Sequence, residues 1–192
     1  MREYDLIADW YASDRGRTVG VAEALAVAAT LPARSRILDV GCGNGVPITE
    51  ALVNAGHRVV GLDSSAGMLD RFRANLPGTP VVRGDARQCP FGDGAFDAAF
   101  SWGMLFHLQR VDQAAAFASV SRVLKPGAPF LFTAAEIDDA DDAGITGTMN
   151  GVTFPYYAIP SYRTMIVEYG LVLVDVHDDP GVSTSYLARK SP

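Results

Sequence analysis

A short apolar run, Ile37-Leu38-Asp39-Val40, breaks off into Gly41-Cys42-Gly43-Asn44-Gly45, and this junction constrains the fold more than any other stretch. The run has the branched, nearly continuous hydrophobicity of a strand enclosed on both faces, as in the interior of a parallel sheet. Alternating glycines then make a tight, bare turn, because glycine adopts left-handed backbone conformations without steric penalty. Ile48, Ala51, Leu52 and Ala55 follow at helical spacing, so a helix N-terminus points back at the turn. Strand, glycine turn and helix in this order form a ligand site, with backbone N–H groups brought close to something anionic or polar.

Spacing narrows the choice of ligand. A dinucleotide site of the G-x-G-x-x-G type would carry glycine where Val46 stands, and here the third glycine comes one residue early. The next predicted strand, 58–63, ends in Asp63, 22 positions after Gly41, where a carboxylate meets ribose hydroxyls. A ribose-containing cofactor follows. The compact G-C-G-N-G pattern after Leu-Asp-Val, together with Asp63, resembles motif I of the class I S-adenosylmethionine (SAM)-dependent methyltransferases.

The resemblance, which runs from about residue 4 to 189, implies SAM as cofactor and S-adenosylhomocysteine (SAH) as product. It implies contacts from Gly41, Cys42 and Gly43 to the amino-acid end, from Asp63 to the ribose, and from Met68, Asp85 and Ala86 to the adenine, with Asp39 and Ser64 also among the cofactor-binding residues. Tyr11, in an N-terminal helical cap over residues 1–31, and Ser101 and Trp102, leaving the fourth strand, complete the expected set. The Pro-Phe-x-Asp-Gly-x-Phe-Asp run around 90–97 and Leu124-Lys125-Pro126-Gly127 also resemble family segments.

The whole chain alternates strand and helix from residue 36 onward: strands at 36–40, 58–63, 80–85, 96–102 and 129–135, helices at 47–55, 65–75 and 111–124. A helix near 161–169 and strands at 171–176 and 184–189 close it. This predicts an α/β, Rossmann-like, doubly wound sheet of seven strands, mostly parallel with an antiparallel last strand, and helices on both faces. Ligands then sit beyond the carboxyl ends of the strands, where Gly41, Asp63 and Asp85 all fall. Residues 136–159 lack periodicity and are expected to form a substrate lid or loop. With 192 residues and 48% hydrophobic content, a single domain over 1–192 is expected.

A net charge of −6 with 16 scattered Lys and Arg argues against nucleic acid as substrate and for a small molecule. Cys42 and Cys89 lack zinc or disulfide spacing, and no metal constellation stands out, so no metal is expected. No apolar run reaches the ~18 residues of a membrane span, and no leader is evident, so a cytoplasmic location is expected. The sequence leaves the oligomeric state open. At the start of a helix the Cys42 thiol is expected to have a lowered pKa.

The sequence assigns no catalytic base; His107 and His177 are the weak candidates, the first just past the fourth strand, the second in a turn at 177–181 on the same edge. The acidic run at 138–142 offers attraction to an amine. SAM-dependent methyl transfer to a small-molecule acceptor by in-line displacement is the reading these features favour. A non-catalytic SAM-binding regulatory module and an NAD-dependent oxidoreductase remain as alternatives.

Overall fold

The computed structural model describes residues 2–14, 18–134, 145–157, 161–179 and 183–192. Five strands run parallel: β1 (Arg36–Val40), β2 (Arg58–Asp63), β3 (Val81–Arg83), β4 (Ala98–Ser101) and β5 (Pro129–Ala134). After a separate hairpin, β6 (Ile145–Met149) with β7 (Val152–Tyr156), come β8 (Leu171–Asp179) and β9 (Ser183–Lys190). The seven-stranded sheet has the order β3-β2-β1-β4-β5-β9-β8, and β9 lies antiparallel to both its neighbours. The chain builds outward from β1 to β3, then returns to place β4 on the other side of β1. That reversal opens a crevice at the carboxyl ends of β1 and β4.

Both sheet faces are covered because β1, β4 and β5 present buried residues to each side. On one face α2 (Val21–Ala28) and α3 (Ile48–Asn54) seat Val27, Ala28 and Leu52 on Ile37, Val59 and Phe100. Beside them α4 (Ala66–Asn75) lays Phe72 over Gly61, where an added Cβ would fall 2.9 Å from the ring. On the other face α5 (Arg110–Val123) and α6 (Tyr162–Glu168) enclose an aromatic core of Phe96, Phe117, Phe130, Phe132, Tyr162 and Tyr186. Phe117 meets Phe132 edge-on at 4.9 Å, and each such buried ring contributes roughly 1.5–3 kcal/mol.

Of the expected N-terminal cap, only α1 (Arg2–Asp14) has the position of a cover; α2 is part of the helix layer, with Ala24, Val27 and Ala28 buried. α1 is fastened to α4 by polar contacts. Asp5 accepts from Ser65 Oγ at 2.5 Å and from the Gly67 N–H at 2.9 Å, and Asp9 pairs with Arg71.

Two sequence expectations change. Residues 145–156 are a hairpin rather than irregular chain, turning at Asn150 (φ 47°) and Gly151 (φ 75°). Two successive positive φ values are what a two-residue hairpin turn needs, and Asn-Gly is the pair that supplies them at least cost. The turn expected to begin at His177 starts later, because β8 keeps its pairing with β9 through Asp179. The acidic run at 138–142, the expected lid at 136–144 and 158–159, and the 180–182 turn tip lie outside the described residues.

Candidate active site

A single cavity of about 460 Å3 opens at the carboxyl ends of β1 to β4, within the range typical of small-molecule sites. Gly41, Gly43 and Asn44 form its floor, Asp63 and Ser64 follow at the end of β2, and Gly84, Asp85 and Ala86 follow at the end of β3. Past β4, Trp102, Gly103 and Met104 form the opposite wall, roofed by Tyr4 and Tyr11 of α1.

Gly41 adopts φ 74°, and a Cβ there would stand 2.5 Å from Met104 Cγ, so glycine is required twice over. The loop's donors are turned inward. The N–H groups of Gly41 and Cys42 donate to Leu62 O, that of Gly45 to Cys42 O, and that of Gly43 to Asp63 Oδ2 at 2.9 Å. The sequence expectation of N–H groups offered to an anion is therefore reversed. What faces the cavity here is acceptor: the Asp39 carboxylate, 3% exposed and bonded by Thr49 Oγ1 at 2.5 Å, and that of Asp63.

Asp63 also receives the Ser65 N–H on Oδ1 at 2.8 Å. Burial pushes its carboxyl above the ordinary range, against the pull of the Ser65 and Gly43 N–H groups. The Cys42 thiol is likewise pushed well up, first by burial and then by Asp39 and Asp63. That overturns the expected lowering at a helix N-terminus and removes the environment a reactive thiolate needs.

At the end of β3 the Asp85 carboxylate is gripped by Arg87, through Nε at 3.0 Å and Nη2 at 2.5 Å, while Arg87 Nη1 reaches Asp112 of α5 at 3.0 Å. The guanidinium holds the Asp85 carboxyl below its usual range. Arg87 is the one basic lysine or arginine side chain among the described cavity-lining residues, and carboxylates already engage it.

On the far wall His107 is 5% exposed within a box of Tyr4, Phe106, Phe154 and Tyr156. Its Nδ1 lies 2.8 Å from Pro155 O and its Nε2 3.0 Å from Tyr4 Oη. A carbonyl only accepts, so Nδ1 carries the proton and Nε2 of the neutral ring accepts from Tyr4. Burial lowers the pKa of the ring, which keeps it neutral. Tyr157 N–H donates to Phe106 O at 2.6 Å, and Gln113 Nε2 holds Tyr157 O at 2.9 Å, fixing the end of the hairpin against α5.

Residues 37–127 match the model of a methyltransferase domain family. Over that stretch, just under half of its length, the chain is similar to methyltransferase domains. A methyltransferase of Synechocystis is 38% identical over 95 residues, 50% of this chain and 44% of that protein. Demethylmenaquinone methyltransferase of Corynebacterium kroppenstedtii is 40% identical over 135 residues, 70% of this chain and 48% of that enzyme. The chain thus spans less than half the length of these two relatives. Among solved structures, the CcbJ methyltransferase of Streptomyces caelestis superposes with a TM-score of 0.79 at 22% identity, covering 100% of this chain and 99% of that one. SAM-bound CalS10 of Micromonospora echinaspora, an amino pentose methyltransferase, gives 0.76 at 20% identity, covering 96% and 95%. At such identities the likeness is one of fold.

The cavity draws together Tyr11, Asp39, Gly41, Cys42, Gly43, Asp63, Ser64, Met68, Asp85, Ala86 and Trp102 of the expected residues, with His107. Ser101 is not among them. It ends β4 fully buried, one residue out of phase with Trp102, so its hydroxyl leaves the strand on the opposite side. His177 is also elsewhere, lining a separate cleft with Ala26, Leu187 and Arg189 against α2. It stays within β8, paired with Ser185, at the outer end of the sheet three strands away from β4. Tyr4, Arg87 and Asp112 had no role in the sequence reading. The first is visible only as an aromatic two helical turns before Tyr11, and the pairing of Arg87 with Asp112 spans 25 residues without any pattern.

Proposed function

We propose that this chain transfers a methyl group from SAM to a small-molecule acceptor that is neutral or cationic where it meets the enzyme. The observation carrying this reading is the continuity of one cavity, carboxylate-lined at the ends of β1 and β2 and aromatic-walled beyond β4. The first part suits SAM better than a dinucleotide: a sulfonium and an ammonium find carboxylates, whereas a pyrophosphate would meet Asp39 and Asp63 with the N–H groups of Gly41, Cys42 and Gly43 already used. The cofactor reading puts the amino-acid end over 41–43, the ribose on Asp63 and the base beside Met68, Asp85 and Ala86. The acceptor then lies among Tyr4, Tyr11, Met104, His107 and Tyr157.

SAM supplies an activated methyl group when bound. The protein's part is to align the acceptor, exclude water and, for a protonated acceptor, receive a proton. Aromatic walls suit an apolar or cationic acceptor, and the only described basic side chain in the lining has its charge satisfied. Two fold relatives are consistent in kind, one acting on an amino pentose and one on 1,6-didemethyltoxoflavin. α1 and the β6–β7 hairpin act as the cover over this half.

Calorimetry with SAM and with NADH tests the first half of the proposal; binding of NADH in place of SAM would overturn it. Incubation with methyl-labelled SAM and fractionated metabolite pools tests the second. SAM binding with no labelled product from amines, phenols, thiols or carboxylic acids would favour a regulatory module.

A further inference from the structure

We infer that the acceptor atom is the nitrogen of an aliphatic amine, taken up as its free base beside the aromatic wall of Tyr4, Tyr11, Trp102 and Tyr157. The inference deepens the methyl-transfer reading and rests on SAM occupying the carboxylate-lined half of the cavity. Two properties of the other half carry it: what can receive a proton there, and what can hold a charge.

An alcohol or phenol must give up its proton as the methyl group arrives, so it needs a base within reach. His107 is the one histidine among the described cavity-lining residues, and both its ring nitrogens are spent, Nδ1 on Pro155 O at 2.8 Å and Nε2 on the Tyr4 hydroxyl at 3.0 Å. A proton relayed through Tyr4 would end on a ring that is 5% exposed, where burial outweighs the pull of Pro155 O and Glu3 toward the charged form. The carboxylates of the lining are engaged as well: Asp39 by Thr49, Asp63 by the Gly43 and Ser65 N–H groups, Asp85 and Asp112 by Arg87. An anionic acceptor would need no base, but Arg87, the one lysine or arginine among the described lining residues, already carries two carboxylates. The free base of an amine needs neither a base nor a counter-charge.

The lone pair of the amine forms the new N–C bond as the S–C bond breaks, and the electron pair of the broken bond stays on sulfur. Positive charge passes from sulfur to nitrogen, so the net charge of the site is unchanged and no proton has to move inside it. The ammonium proton leaves to water after release. Aromatic ring faces hold such a cation without hydrogen-bonding to it. Tyr4 and Tyr11 stand 5.5 Å apart with their planes at 89°, which makes a corner of two rings. Trp102 is packed against Gly20, where a Cβ would fall 2.4 Å from its ring, and Tyr157 is held through its carbonyl by Gln113 at 2.9 Å. The wall is therefore set before a ligand arrives.

The experiment has a binding arm and a product arm. By NMR titration, wild type saturated with SAH should bind choline about tenfold or more tighter than 3,3-dimethyl-1-butanol, the neutral compound of the same shape. With SAM in place of SAH that advantage should vanish, because the sulfonium repels the ammonium. Tyr11→Leu should cut the preference to about threefold or less, and Tyr11→Phe should keep it, since the ring and not the hydroxyl holds the cation. Thermal unfolding checks each variant; should Tyr11→Leu fail to fold, Tyr157→Leu and Tyr157→Phe carry the comparison. SAM with a carbon-13 methyl group, incubated with metabolite pools, should give products whose methyl shift is that of an N-methyl group. Label on oxygen, sulfur or carbon, a SAH complex without preference for choline, or a folded leucine variant that keeps the wild-type preference overturns the inference and leaves methyl transfer standing. A protein that binds neither SAM nor SAH, or binds SAM and labels nothing, overturns the methyl-transfer reading itself.

Discussion

The two halves of the cavity are held by different means. The cofactor half is assembled from adjacent strand ends, and backbone donors next to those ends help to set its carboxylates: the N–H groups of Gly43 and Ser65 hold Asp63, and that of Arg87 adds to the guanidinium's grip on Asp85. The acceptor half is assembled from α1, the 102–107 segment and the β6–β7 hairpin, elements that do not neighbour one another in the sheet. It is held chiefly by side chains: Tyr4 to His107 to Pro155 O, and Gln113 to Tyr157 O. Parallel-strand register leaves the first arrangement little freedom. The second can be remade by a few substitutions without disturbing the sheet, which is how one scaffold serves many acceptors.

Damage to the cofactor half should therefore cost most. Asp63→Ala removes a charged acceptor, worth about 1.5–3 kcal/mol, so calorimetry should show SAM binding weakened roughly ten- to a hundredfold with the fold retained. Because burial raises the Asp63 carboxyl, wild-type affinity should begin to fall at a pH above the ordinary carboxylate range, as protonation removes the acceptor. Unchanged affinity in the variant would take Asp63 out of the site.

The halves meet where Gly41 touches Met104. Gly41→Ala forces a left-handed alanine, about 1–2 kcal/mol, and drives its methyl into the Met104 side chain. Chemical denaturation should register that loss, and SAM affinity should fall with it. If the double variant Gly41→Ala with Met104→Ala recovers affinity, contact rather than backbone strain links the halves.

The same contrast explains what could be read from the sequence. Asp39, Gly41, Asp63 and Asp85 were legible because a buried parallel strand has a local signature and its last residue must face the crevice. The topology followed from the strand and helix periods. Ser101 misled because proximity to a strand end does not decide which face a side chain takes. His177 misled because β8 outlasts its apolar pattern, keeping its pairing with β9 through Asp179. The hairpin was missed although Asn150-Gly151 is a turn signal, because its two five-residue strands are interrupted by Gly147 and Pro155. Contacts such as Tyr4 with His107, 103 residues apart, exist only once the sheet has brought α1 over β4.

On the acceptor side Tyr4→Phe deletes one neutral hydrogen bond, about 0.5–1.5 kcal/mol. It should loosen α1, seen as faster amide exchange over residues 3–11 both with and without SAH. SAM affinity should drop only about two- to fivefold. Exchange matching wild type would mean that the Tyr4 hydroxyl does not help to hold the helix.

The smallest effect is a slope, and it identifies what His107 does. Burial lowers its folded pKa below the ordinary 6.5, with the Pro155 carbonyl pulling the other way. An unfolded chain then takes up the proton first as the pH falls. The stability contributed by the neutral ring is complete above about pH 6.5 and is lost as the pH drops from there toward the folded value, at no more than ~1.4 kcal/mol per pH unit. His107→Gln should flatten this part of the stability curve between pH 7 and pH 5.5. Tyr4→Phe should keep it, because desolvation is the first cause and the phenol only the second partner. Protonation also ends the ring's ability to accept from Tyr4, so the same acid range should speed exchange in α1 of the wild type and leave the already loosened Tyr4→Phe unaffected. A slope retained in His107→Gln would assign the acid sensitivity to the buried carboxylates, and α1 would then open through Asp63 and its neighbours rather than through His107.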